Sequence, residues 1–163
     1  MKRVLLLASL AGVFFCNLIF AQDSLKDNKE QIKLLVHCTA AGLGGVLKNI
    51  PRDRAIVLLR DYVDAVHFFP DNSGYFYVND YNCVVIAHGE QKKLQGESLF
   101  KYKDTKGKFF VQELVKAAKN GGGFVEYYWR KPKAGDEEVK KIGYAEPIPG
   151  TDFIIGTGVY PKN

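Results

Sequence analysis

The run Gly121-Gly122-Gly123-Phe124-Val125-Glu126-Tyr127-Tyr128-Trp129 and the later run Ile148-Pro149-Gly150-Thr151-Asp152-Phe153-Ile154-Ile155-Gly156-Thr157-Gly158-Val159-Tyr160 constrain the fold of this chain more than any other feature. Each is a stretch of aromatic and β-branched residues entered from turn residues, which is the composition of a strand. Between them lie the loop Lys131-Pro132-Lys133-Ala134-Gly135 and a third run, Val139 to Ile148. Connections of hairpin length make these three strands antiparallel neighbours.

Upstream, the hydrophobic period is helical. Ile32, Leu35, Val36, Leu43, Val46 and Leu47 predict one long amphipathic helix from Asp27 to Lys48, weakened by Gly42, Gly44 and Gly45. Pro51 marks a fresh helix start, and Ala55, Ile56, Leu59, Tyr62, Val63 and Val66 continue a second helix to His67. The period then changes. After the turn cluster Pro70 to Gly74, the runs Tyr75 to Val78 and Val84 to His88 flank Asp80-Tyr81-Asn82 as a β-hairpin. Phe110, Val111, Leu114, Val115 and Ala118 predict a short helix stopped by Gly121. The sum is an α+β domain: a five-stranded antiparallel sheet with its helices on one side.

The compartment follows from the first residues. Lys2 and Arg3 precede an apolar run from Val4 to Phe20, and Gln22-Asp23-Ser24 follows Ala21. This is the layout of a signal peptide cleaved after Ala21, with an uncleaved anchor as the alternative. Residues 1–21 are then the leader and 22–163 one domain, periplasmic or secreted. Loss of Lys2 and Arg3 lowers the formal net charge from +5 to +3. Basic residues interleave with acids, as in Lys26-Asp27 and Lys29-Glu30, so no nucleic-acid partner is expected. Cys38 and Cys83 remain in the mature chain, either as a single bridge or as two free thiols.

No enzyme constellation is present. His37, His67 and His88 are isolated, without the spacing of metal ligands, and Gly42-x-Gly44 and Gly156-x-Gly158 lack the strand-turn-helix setting of a phosphate cradle. No cofactor motif occurs. What the strands do offer is donors. Alternation puts Val125, Tyr127 and Trp129 on one face, and it groups Tyr75 with Tyr77 and Asn79, and Val84 with Ile86 and His88. Phenol hydroxyls, an imidazole, an indole and the ammonium of Lys141 without matching acceptors suit a small anion, above all a carboxylate. The same residues suit plain sheet packing.

Taken in order, several pieces resemble a known family. They are Gly74-Tyr75-Phe76-Tyr77-Val78 with Ala87-His88; Gly107-Lys108-x-Phe110 with Glu113-Leu114; Gly121 to Tyr127 with Trp129 and Lys131-Pro132; Lys141-x-x-Tyr144; and Pro149-Gly150 with Ile155 to Tyr160. Over residues 30 to 160 the chain resembles the single Cache domain, type 2, the extracytoplasmic ligand-binding module of chemoreceptors and sensor kinases. The resemblance implies a long N-terminal helix on a PAS-like antiparallel sheet whose concave face holds a small organic molecule, often a short carboxylate such as acetate, propionate, pyruvate or lactate. The chain departs from the family pattern at Gly89, where proline is common, at Thr151 and Phe153, where two tryptophans are frequent, and at the turn Tyr81-Asn82-Cys83, which usually carries glycine.

The combined expectation is a small-molecule sensor domain with no catalytic role, no metal and no cofactor. Tyr75, Tyr77, His88, Phe110, Tyr127, Trp129, Lys141 and Tyr144 are the expected ligand-binding residues. Because the sequence stops at Asn163, the expectation extends to a free-standing periplasmic Cache protein, monomer or homodimer, acting through a separate membrane chemoreceptor, sensor kinase or transporter. The alternative is an envelope structural or interaction protein that keeps the fold without a working pocket.

Overall fold

A computed structural model describes residues 5–161, with side chains from residue 25 onward. The expected leader, residues 1–21, lies outside the residues whose side chains are described. Among the described residues, no helix is long and apolar enough to cross a membrane.

Helix α1 runs Leu5–Leu47 and helix α2 Arg52–Ala65. Between them Asn49 takes a left-handed conformation (φ 68°) and Pro51, at the N-cap, has the φ that a helix start requires. Two short strands, β1 (His67–Phe68) and β2 (Gly74–Tyr75), pair with each other. The main sheet comprises β3 (Tyr77–Asp80), β4 (Val85–His88), β5 (Gly123–Arg130), β6 (Glu138–Pro147) and β7 (Phe153–Val159), all antiparallel in the order β4-β3-β7-β6-β5. Helix α3 (Phe110–Lys119) precedes β5 and ends where the N–H groups of Gly121 and Gly122 return to the carbonyls of Ala118 and Ala117.

The expected elements form, but the helices do not share one side. Ile32, Val36, Ala40, Leu43 and Leu47 of α1 and Ala55, Leu59 and Val63 of α2 pack on Val78, Ile86, Ile142, Tyr144 and Ile155. Helix α3 covers the other face, setting Phe110, Val111, Leu114 and Ala118 against Tyr77, Val125, Tyr127 and Trp129. Burying an apolar helical stripe requires an apolar sheet face, and this sheet has two.

Two local expectations change. Tyr77 pairs with His88 and Asn79 with Val85, so β4 holds one more residue than β3 over this stretch, a β-bulge. The bulge breaks simple alternation: Ile86 and Ala87 both join the α1 and α2 core, while Val85 and His88 face α3. The hairpin turn manages without glycine because Asp80 Oδ1 accepts the N–H groups of Asn82 and Val84, both at 2.9 Å, and holds Cys83 at φ 63°. Cys83 is buried, Cys38 is exposed and both are free thiols.

The glycines of α1 differ in what they face. A Cβ at Gly44 would sit 2.9 Å from Pro149 Cδ and 3.0 Å from its carbonyl oxygen, whereas one at Gly42 would meet nothing within 4 Å. Gly42→Ala should therefore stabilise the domain by about 0.5–1 kcal/mol through helix propensity. Gly44→Ala should destabilise it, since overpacking of about 1–3 kcal/mol outweighs the same gain. Urea denaturation of the two variants should give midpoint shifts of opposite sign.

Candidate functional site

The face of the sheet under α3 holds a small cavity walled by Tyr75, Tyr77, His88, Phe110, Tyr127, Trp129 and Lys141, together with Asn79, Val85, Leu99, Val111 and Leu114. Seven of the eight residues expected from sequence thus converge. The cavity is narrow, with about 20 Å³ open to the centre of a water-sized sphere, enough for a water and little more.

Lys141 is its electrostatic centre. It lies on β6 opposite Tyr127 on β5 and is 1% exposed. Its Nζ donates to the Tyr75 hydroxyl at 2.8 Å and sits 4.0 Å from the centroid of that ring. Among the described residues it has no ion pair. Burial lowers its pKa to about 7, with Glu90 acting in the opposite sense from longer range. A polar chain continues outward. The Tyr160 hydroxyl donates to the Arg130 carbonyl at 2.8 Å, so the Tyr75 proton points to the Tyr160 oxygen at a longer 3.4 Å. Burial pushes the Tyr75 hydroxyl well above the usual phenol range.

His88 is fixed as a neutral donor. Its Nδ1 accepts the backbone N–H groups of Glu90 and Gln91 at 3.2 and 3.0 Å, which leaves the ring proton on Nε2. Burial, then the Lys141 charge, lower its pKa to about 3. The ring lies between Tyr75 and Trp129, with centroids 5.1 and 6.1 Å away. Phe110, carried in by α3, stacks on Tyr127 at 4.3 Å and meets Trp129 edge-on at 5.3 Å.

Two buried side-chain atoms among the described residues find no hydrogen-bond partner, Tyr77 Oη and Asn79 Nδ2, and both residues line this cavity. The Tyr77 hydroxyl interacts with that of Tyr127 without reaching bonding geometry. An unsatisfied buried polar group costs about 1–3 kcal/mol. Two of them beside an unpaired ammonium leave the cavity rich in donors and poor in acceptors. Asn79 was not among the residues singled out from sequence. Period-2 alternation with Tyr75 and Tyr77 was its only signal.

The floor is glycine. A Cβ at Gly158 would stand 2.7 Å from Lys141 Cε, one at Gly156 2.5 Å from Tyr77 Oη, and one at Gly143 2.8 Å from the Tyr127 ring. Gly156-x-Gly158 is therefore the clearance that lets a lysine stem and a tyrosine ring lie along the sheet.

Tyr144 is the residue that does not join the site. It stands three positions from Lys141 on the same strand, so the period of two turns it to the opposite face. There it packs on Phe124 with centroids 4.6 Å apart and donates to Glu146 Oε1 at 2.8 Å. Glu146 in turn bonds His37 of α1 at 3.1 Å.

Comparison with known proteins places this geometry. Residues 20–163 match dCache_2, a Cache domain family, so the expected Cache assignment holds. The chain is 28% identical over 149 residues to the sensor histidine kinase MctS of Rhizobium johnstonii, covering 86% of this chain and 30% of the kinase. It thus spans less than a third of that relative's length. Two solved structures superpose with TM-scores of 0.74. One is the periplasmic sensor domain of a chemotaxis protein, 30% identical, with 85% of this chain and 98% of that one covered. The other is a Cache chemosensory domain described for its carboxylic acid recognition, 28% identical, with 86% and 98% covered. With the family's model matched over residues 20–163 and two sensor-domain structures superposing over most of their length, the chain belongs to the Cache domain family of ligand-binding sensor domains.

Proposed function

We propose that this domain binds a short carboxylate, of the acetate, propionate, pyruvate or lactate type, outside the cytoplasm and passes its occupancy to a membrane-bound signalling protein. One observation carries the reading: the buried, unpaired Lys141 ammonium beside the partnerless Tyr77 hydroxyl and Asn79 amide. A carboxylate supplies what these groups lack, one negative charge and acceptor lone pairs for several donors. His88 Nε2–H and the Tyr127 hydroxyl add donors, while Phe110 and Trp129 exclude water and limit the ligand's size. The carboxylic acid recognition described for the Cache chemosensory domain supports the same ligand class. A sensing role is supported by the kinase and chemotaxis relatives.

The narrowness of the cavity supports a second reading, a Cache fold used for envelope structure or protein interaction with no small ligand. The two separate in a thermal-shift screen of acetate, propionate, pyruvate and lactate. Binding should raise the melting temperature by mass action, and Lys141→Met should abolish the shift while leaving the domain folded, because a buried charge replaced by an apolar chain of similar length is tolerated. No shift with any acid at concentrations of about 10 mM, which is far above a micromolar dissociation constant, would leave the second reading standing.

Tyr77→Phe should separate function from stability. It removes an unsatisfied buried hydroxyl, so the ligand-free protein should melt no lower than wild type, and affinity should fall by about tenfold for the loss of one charge-assisted hydrogen bond. Tyr144→Phe, on the far face, should leave affinity unchanged. Calorimetric titration of both variants reads the difference.

pH supplies a further check. The unfolded chain keeps the Lys141 proton up to the ordinary lysine value of 10.5, whereas the folded one releases it near 7. Between these values the unfolded state binds more protons, so this residue makes stability rise with pH. The contribution is read best from pH 7 to 9, below the range in which the buried tyrosines titrate. Carboxylate affinity should move the opposite way, falling by up to about tenfold per unit above pH 7, with proton uptake on binding. Titrations in buffers of differing ionisation enthalpy measure that uptake, and Lys141→Met should lose this residue's share of the stability slope between pH 7 and 9.

A further inference from the structure

Helix α3 presents Phe110, Val111 and Leu114 to the Lys141 cavity and Gln112, Lys116 and Lys119 to the outside. On the outer side, between α3, the segment from Phe100 to Phe109 and the corner at Tyr81, runs a groove of about 810 Å³. Its lining is unlike an ordinary solvated surface. Phe100 is 51% exposed and Phe109 38%, in a stretch that also leaves Tyr102 exposed. The rings of Phe109 and Tyr81 and the backbone at Phe100 are held in position. Lys103 Nζ lies 4.7 Å over the Phe109 ring, Lys119 Nζ 4.8 Å over the Tyr81 ring, and Gln112 Nε2 donates to the Phe100 carbonyl at 2.6 Å.

The charge is one-sided. The acid that lines the groove, Glu113, is paired with Lys108 at 3.0 Å. Lys116 and Lys119 line it without an ion pair among the described residues, and the exposed Lys103 stands over its Phe109 ring. Spread along the sequence, these lysines read as unremarkable surface. The fold gathers them at the edge of an exposed aromatic floor.

We propose that this groove is a docking site for an acidic peptide segment of a partner protein, one whose carboxylates meet Lys116 and Lys119 while an apolar side chain covers Phe100 and Phe109. Charge complementarity selects an acidic partner, and the aromatic floor supplies the apolar anchor that peptide grooves use. Concavity selects a chain segment over a membrane, because the surface of a bilayer cannot follow a floor sunk between a helix and a loop. The site does not depend on what the Lys141 cavity binds.

The test uses the full chain and a short fluorescein-labelled peptide alternating Glu with Phe, with Gln–Phe and Lys–Phe analogues. Fluorescence anisotropy should detect binding of the Glu–Phe peptide alone, weakening as salt is raised. Lys116→Glu/Lys119→Glu and Phe100→Ser/Phe109→Ser should each weaken it by about tenfold or more, as expected when rim charges or an anchor are lost, with wild-type melting temperatures showing that both variants fold. Amide NMR shifts in the wild-type protein on adding the peptide should cluster at Gln112, Lys116 and Lys119, a readout that needs no variant. Absence of binding, equal binding of the Lys–Phe peptide, or binding untouched by both variants would overturn the proposal. So would flotation with phosphatidylglycerol vesicles that the same substitutions abolish while the peptide stays unbound, since that outcome assigns the face to a membrane.

Discussion

A lysine ammonium shut away from water must be met by dipoles or by a counter-ion, or it loses its proton. Much of this domain is arranged around that requirement at Lys141. The Tyr75 hydroxyl accepts a hydrogen bond from the Lys141 ammonium, and Tyr160 and the Arg130 carbonyl extend the polar chain away from it. Gly158 leaves space for its stem, and Gly143 and Gly156 leave space for the rings of Tyr127 and Tyr77 beside it. The neutral tautomer of His88, set by two backbone N–H groups, keeps a second positive charge out of the same cavity. Among the described residues, no carboxylate pairs with Lys141.

The sheet separates this cavity from the long helix while keeping the two mechanically close. Strand β6 carries Lys141 on the cavity face, and on the other face it carries Tyr144 and Glu146, which reach His37 of α1. Strand β6 therefore touches the cavity with one face and the α1 contact with the other. Helix α3 plays the corresponding part on the other side, with one flank in the cavity wall and the other along the aromatic and basic groove.

How far the residues could be read in advance depended on the range of the interaction involved. Helix α3 and strands β5 to β7 follow from period and punctuation, which are local. Seven residues of the cavity were legible because phenol, imidazole, indole and ammonium groups recur in an order that resembles the Cache family. Tyr144 was misplaced because a motif match records that a residue belongs to a pattern, while its odd spacing from Lys141 on one strand sends the two side chains to opposite faces. The grouping of Ile86 with His88 failed at the bulge in β4, where one inserted residue reverses alternation. Asn79 has a side chain whose importance comes from having no partner, which no local pattern can express.

By itself, the sequence determined the α+β class, the antiparallel order of hairpin-linked strands and the kind of chemistry on offer, because these rest on side-chain periodicity, turn residues and donor inventory. The glycine-led aromatic strands showed that tyrosines and a tryptophan would share a face. Only the tertiary structure decided that α1 and α3 lie on opposite faces of the sheet, that Lys141 is buried with no counter-ion among the described residues, and that Gly156 and Gly158 make room for Tyr77 and Lys141. Those outcomes depend on which residues from distant parts of the chain are brought within a few ångströms of each other, and that is fixed by packing two apolar faces at once.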